Sequence, residues 1–147
     1  MSLDLDRFVP HRGLMSLLDA LIEHSDEQSV ASVCITPQST FCLPGLGVPA
    51  YVGLEYMAQT VAAFDGAKRH TEGAAPMLGF LLGTRRYQSL RDYFVPGETL
   101  VITATMTVSQ HPVAAFDCTI LIEEEVVATA SLTVYRAEGQ NLEFPGE

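Results

Sequence analysis

The sequence predicts an α+β domain in which one antiparallel sheet wraps around a single long central helix, and three observations predict it. Over residues 49–66, PAYVGLEYMAQTVAAFDG, apolar or small residues occupy almost every position on all sides. A helix that is apolar all round belongs inside a protein. From Leu100 to Val134, three segments alternate apolar and polar residues at period two, the pattern of antiparallel strands with one covered face. That face needs a cover, and the 49–66 helix is the only element long enough to supply it.

At 147 residues and 48% hydrophobic composition, the chain is long enough for one domain with a real core and too short for two comfortable ones. Residues 1–147 are read as a single domain, with 138–147 as a frayed tail. Residues 13–18 suit one or two helical turns. A strand at 19–23, a polar turn at 24–28 and a strand at 29–36 make an opening hairpin, with Ala31, Val33 and Ile35 on one face and Ser32, Cys34 and Thr36 on the other. Residues 37–48, with two prolines, two glycines and no periodicity, form a loop that delivers the chain to the helix. Gly47 and Pro49 suit the helix start, while Lys68, Arg69 and His70 complement its C-terminal carbonyls.

After a linker at 71–76, the glycine-interrupted run 77–83 reads as a buried strand, with Gly79 and Gly83 leaving room for the helix. Residues 88–94 read as irregular, and Pro96-Gly97 as a turn. Three strands follow. Leu100, Ile102, Ala104, Met106 and Val108 mark the first; Ala114, Phe116, Cys118, Ile120 and Ile122 the second; Val126, Ala128, Ala130, Leu132 and Val134 the third. Short turns at 110–112 and 123–125 join them.

A net charge of −10 argues against nucleic acid or an anionic membrane as partner, since both demand clustered positive charge. Five of the eight basic residues nonetheless fall between positions 68 and 91: Lys68, Arg69, Arg85, Arg86 and Arg91. They are either ordinary solvated charge and helix capping or a dock for an acidic partner. Cys34, Cys42 and Cys118 form no CxxC and leave one unpaired, so neither a disulfide framework nor a zinc site is indicated. The N-terminus lacks a cationic start followed by an apolar run, and the 48–64 stretch is short for a membrane span, so the expected location is the cytoplasm. His11, His24, His70 and His111 have no metal-ligand spacing, and no nucleotide or nucleophile-elbow motif is present. No metal and no cofactor is expected.

Glu55 is the anomaly of the central helix. Burying a carboxylate costs several kcal/mol unless it is paired, hydrogen-bonded or protonated. Gln59, four residues on, shares its face and can offer it a hydrogen bond. Glu55 is either a working acid or a carboxylate satisfied by a backbone amide or a partner's side chain. Gln59 then either orients it or touches the substrate. Cys42 has no evident basic neighbour and reads as a small buried hydrophobe.

Three segments carry a family resemblance: Val9-Pro-His-Arg12 with Leu17-Leu-Asp19, Gly53-Leu-Glu55-Tyr-Met-Ala-Gln59, and Phe94-Val-Pro-Gly-Glu98 followed by Leu100. Together, in this order, the chain resembles the hotdog-fold 3-hydroxyacyl-[acyl-carrier-protein] dehydratases. The form VPAYVGLEYMAQ is most similar to the divergent dehydratase-like proteins associated with aryl-polyene pigment pathways. The resemblance implies a hotdog fold that dimerises edge to edge, with an acyl tunnel at the interface and a carrier-linked acyl thioester as substrate. It implies Glu55 as the acid that protonates the leaving hydroxyl, and the amides of Ala50 and Tyr51 as donors to the thioester carbonyl. The partner it implies is an acyl carrier protein bearing a phosphopantetheine thioester, for which the basic cluster Lys68, Arg69, Arg85, Arg86 and Arg91 is the expected dock.

Two departures stand out. Where the family carries its loop histidine this sequence has Phe41, and Ala50 stands where relatives usually have glycine at the helix start. His11 is the replacement base the sequence offers, against the plainer reading of a histidine that caps the short N-terminal helix. Three functions follow: a dehydratase with Glu55 and His11, a non-catalytic hotdog subunit that pairs with an active dehydratase, or an acyl thioesterase in which the helix acid activates water. Homodimer and heterodimer are both open.

Overall fold

The opening hairpin joins β1 (Ala20–His24) to β2 (Gln28–Cys34) through a tight turn, in which the Ser25 amide donates to the Gln28 carbonyl at 2.8 Å. The computed structural model describes residues 17–71 and 78–137, with the backbone alone at 65–71, 78–82, 85 and 136–137. Alternation in β2 is as the sequence predicts: Ala31, Val33 and, just beyond the strand, Ile35 are buried, and Cys34 is exposed.

A loop then leads through β3 (Val48–Pro49) and one 3-10 turn (Ala50–Val52) into α1 (Gly53–Thr71). Beyond the helix come β4 (Leu78–Ser89), β5 (Tyr93–Phe94), β6 (Thr99–Gln110), β7 (Val113–Ile122) and β8 (Glu125–Ala137). The main sheet has the order β1-β2-β6-β7-β8-β4, and every pairing in it is antiparallel. Strands β3 and β5 make a separate two-stranded ladder. The chain leaves β2 near one edge, runs α1 over the covered face and returns as β4 at the other edge. This is the hotdog arrangement, one antiparallel sheet around one helix.

The middle of the covered face is β7, where Ala114, Phe116, Cys118, Ile120 and Ile122 are all buried. Leu100, Ile102 and Ala104 of β6 and Ala128, Ala130 and Leu132 of β8 flank it. Against them α1 sets Met57, Val61 and Phe64, residues spaced to share one helical face. The Phe64 ring meets Phe116 edge-on, centroids 5.3 Å apart at 74°, a geometry worth about 0.5–1.5 kcal/mol beyond the area it buries.

Several sequence expectations are revised. The helix begins at Gly53 rather than at 49 and runs on to Thr71, because residues 50–52 tighten into a 3-10 turn. Gly83 is exposed, and a Cβ built there meets nothing within 4 Å, so it does not make room for the helix. The strand containing it continues to Ser89, and 88–94 is not irregular throughout: Gln88 and Ser89 pair with Thr129 and Ala128 across a bulge, and Tyr93–Phe94 is β5. Strict alternation also fails twice. Bulges shift the register between Met106 and Val108 and beside Leu121, leaving Val108 and Val126 exposed and Val127 buried. The expected N-terminal helical turns, the 71–76 linker and the frayed tail lie almost wholly outside the described residues.

Candidate active site at the start of the central helix

Backbone packing fixes the start of α1 before any functional side chain is considered. Gly47 has φ of 123°, and a Cβ on it would run into the Phe94 carbonyl, so only glycine fits there. Val48 and Pro49 then pair with Phe94 and Tyr93. The Ala50 amide donates to the Asp92 carbonyl at 2.8 Å. That amide is therefore engaged within the chain, unlike the donor the family resemblance implies. The Tyr51 amide lies in the first turn, where a helix leaves its donors without an intrahelical acceptor, and the Tyr51 side chain is 73% exposed.

The segment that supplies Asp92 is itself clamped. Arg91 Nη2 reaches both carboxylate oxygens of Glu98, at 2.8 and 2.7 Å, and Arg91 Nε donates to the Tyr93 carbonyl at 3.0 Å. Glu98 Oε1 also accepts the Val95 amide at 2.8 Å. Arg91, expected as a docking cation, is thus tied into this loop. Arg86 is exposed, with φ of 58° at the β4 bulge. The side chains of Lys68, Arg69 and Arg85 lie outside those described.

Glu55 is in the first turn of α1 and half-buried. Gln59 Nε2 donates to Glu55 Oε1 at 3.1 Å, and Gln59 Oε1 accepts the Leu17 amide at 2.8 Å. Gln59 is fully buried. Its amide is oriented by this pair of bonds, so the glutamine holds the carboxylate at one position while tying the N-terminal segment to the helix. His11 lies outside the described residues.

Sequence reasoning missed Tyr87 of β4. Its hydroxyl donates to the Ala50 carbonyl oxygen, and burial pushes its phenol up to about 12. Gly53 accommodates it: a Cβ there would collide with Tyr87 Oη and crowd Ile120 and Phe94. No sequence period marks Tyr87, because the bulge between Arg85 and Gln88 sets its direction. Tyr56, fully packed in the core, also has its phenol pushed up to about 12, chiefly by burial and then by the negative charge of Asp19.

The loop before the helix exposes apolar groups. Phe41 is 53% exposed, with φ of 70°, and Pro37, Cys42, Leu43, Pro44, Leu46 and Val95 line a cleft of about 450 Å³. All three cysteines are free thiols, and Cys118 is raised to about 12, chiefly by burial. Among the described residues no group of three potential metal ligands exists, and no helix is long and apolar enough to cross a membrane.

Comparison with known proteins gives consistent matches. Residues 3–144 match the ApeP-like family, described as ApeP dehydratase. The 3-hydroxyacyl-[acyl-carrier-protein] dehydratase FabZ of Streptococcus uberis is 27% identical over 134 residues, covering 88% of this chain and 93% of that protein. The bifunctional enzyme LpxC/FabZ of Chlorobaculum tepidum is 30% identical over 144 residues, and the match spans 93% of this chain but 30% of that longer protein. Among solved structures, the dehydratase heterocomplex ApeI:P from Xenorhabdus doucetiae superposes with a TM-score of 0.86 at 26% identity, over 97% of this chain and 96% of that one.

Proposed function

Because the chain belongs to the ApeP-like dehydratase family, we propose that it acts on 3-hydroxyacyl thioesters held on the phosphopantetheine arm of a carrier protein, with Glu55 as the acid. In that reaction a base takes the proton beside the carbonyl and its electron pair becomes the new carbon–carbon double bond. The bond from carbon 3 to oxygen breaks. Glu55 gives its proton to the departing hydroxyl, which leaves as water. The observation that carries this reading is the Gln59 bridge, which holds Glu55 at the start of α1 between solvent and core. The Tyr51 amide is the donor assigned to the thioester carbonyl, and Arg86, with Lys68, Arg69 and Arg85, is the assigned contact for the acidic carrier protein.

His11 is the base in this reading. A second reading makes the chain a non-catalytic subunit that supports an active hotdog partner, and Phe41 favours it, since the loop position of the family's imidazole holds a hydrocarbon ring. The similarity to a heterocomplex supports an assembly of two hotdog chains in either case. The test is turnover of a 3-hydroxyacyl carrier protein by the purified chain, alone and with any hotdog subunit that co-purifies. Loss of turnover by about 100-fold or more in Glu55→Gln and in His11→Asn supports the first reading. Turnover only with the partner, indifferent to both substitutions, selects the second. Release of free thiol in place of the enoyl product points instead to hydrolysis.

A further inference from the structure

The β4 bulge, the hydroxyl of Tyr87 and the missing side chain at Gly53 converge on one peptide unit, the one between Ala50 and Tyr51. Its carbonyl oxygen accepts two hydrogen bonds, from the Gly53 amide within the 3-10 turn and from Tyr87 Oη. A trans peptide is planar, with its C=O and N–H pointing in opposite directions. With the carbonyl turned toward the Tyr87 hydroxyl, the Tyr51 N–H is turned away from it. The Tyr51 side chain itself is 73% exposed.

We propose that Tyr87 is a positioning residue for the dehydration: by donating to the Ala50 carbonyl it fixes this peptide plane and polarises it, making the Tyr51 N–H a stronger donor to the thioester oxygen. The inference rests on the functional reading above. Hydrogen bonds in a chain strengthen one another, because electron density drawn toward the carbonyl oxygen leaves the N–H of the same unit more positive. The effect is largest where charge develops, on the thioester oxygen as the neighbouring proton leaves.

Three features single out Tyr87 as more than packing. The bulge between Arg85 and Gln88, with Arg86 in a left-handed conformation, re-aims the strand at this residue. Gly53 leaves open the space that the hydroxyl occupies. Burial also keeps the phenol protonated through the working pH range, so it remains a donor. The Ala50 amide is held on the other side of the same residue by Asp92, so the turn is gripped from both ends and the remaining freedom is the tilt of the 50–51 plane.

The test uses Tyr87→Phe in the full chain, with its hotdog partner where one co-purifies, and reads two quantities. The first is the division between kcat and KM for a 3-hydroxyacyl carrier protein. The second is the infrared carbonyl band of a bound enoyl-pantetheine thioester carrying carbon-13 at the carbonyl, which reports polarisation only in folded, occupied protein. The expected result is a kcat lower by about tenfold, part of the effect of deleting a donor outright, with KM within about twofold of native and the carbonyl band moved back toward its free position. Native kcat and a native band, with only a lower melting temperature, would show a purely structural tyrosine and overturn the proposal. So would complete failure of the variant to fold, or a native protein that binds the thioester without shifting its band. Glu55→Gln separates the two levels: the acid's loss abolishes turnover while leaving the shifted band, and unaltered turnover in that variant rejects the reading of the site whatever Tyr87 does.

Discussion

The sheet face beneath α1 and the loop that leads into α1 are both apolar, and they dispose of their apolar residues in opposite ways. Phe64, Phe116, Ile102 and Ile120 are sealed between helix and sheet, whereas Phe41 is exposed and Leu43, Leu46 and Val95 remain in contact with solvent around a cleft. The first region satisfies itself within one chain. The second leaves hydrocarbon uncovered among the described residues, the kind of surface that takes an apolar ligand or partner in the proposed function.

Truncating the sealed face should have the largest effect. Phe116→Ala removes a ring packed on Phe64 and is expected to cost about 3–5 kcal/mol in urea unfolding. A loss below about 1 kcal/mol would mean that the helix and sheet are not the main stabilising contact. Gln59→Leu comes next: it strips the Leu17 amide and Glu55 of a buried partner, for an expected loss of about 1–3 kcal/mol. It should lower turnover as well, and retained turnover would separate the glutamine from the acid's orientation.

At the loop the comparison predicts near silence. Phe41→Gly relieves a left-handed backbone but frees the unfolded chain, so stability should change by less than about 1 kcal/mol in the same urea assay. A change as large as that at Phe116 would erase the distinction between the two regions.

Alkaline pH probes the sealed region from another side. Cys118, Tyr56 and Tyr87 have folded values near about 12 against ordinary values of 9.0, 10.0 and 10.0. The unfolded chain therefore gives up these protons first, so stability should be level below about pH 9 and fall progressively from there toward pH 12. Urea midpoints measured across this range check the sign. In Cys118→Ala the decline should begin about one pH unit later, where the tyrosines take over.

Much of this was legible in the chain itself. Period two in β7 places every apolar residue correctly because that strand is central and free of bulges over most of its length, so local alternation and tertiary burial coincide. The spacing of Glu55 and Gln59 fixes their meeting, since residues four apart on a helix are neighbours wherever the helix lies. The sequence also signals the family through three segments that are far apart in the chain. It does not reveal that Val126 is exposed and Val127 buried, because that outcome depends on a register shift between β7 and β8.

What the sequence determined alone was therefore whatever depends on neighbours along the chain: the helix, the strands of the meander, the acid with its glutamine, and the absence of an imidazole at position 41. The tertiary structure decided that Arg91 grips Glu98 instead of facing outward, that the Ala50 amide is spent on Asp92, and that Tyr87 reaches the carbonyl of Ala50. Each of these joins elements separated in sequence through a bulge, a loop or a missing Cβ. A hydrogen bond depends on direction to within a few tens of degrees, and that direction is set by packing the whole sheet and helix together.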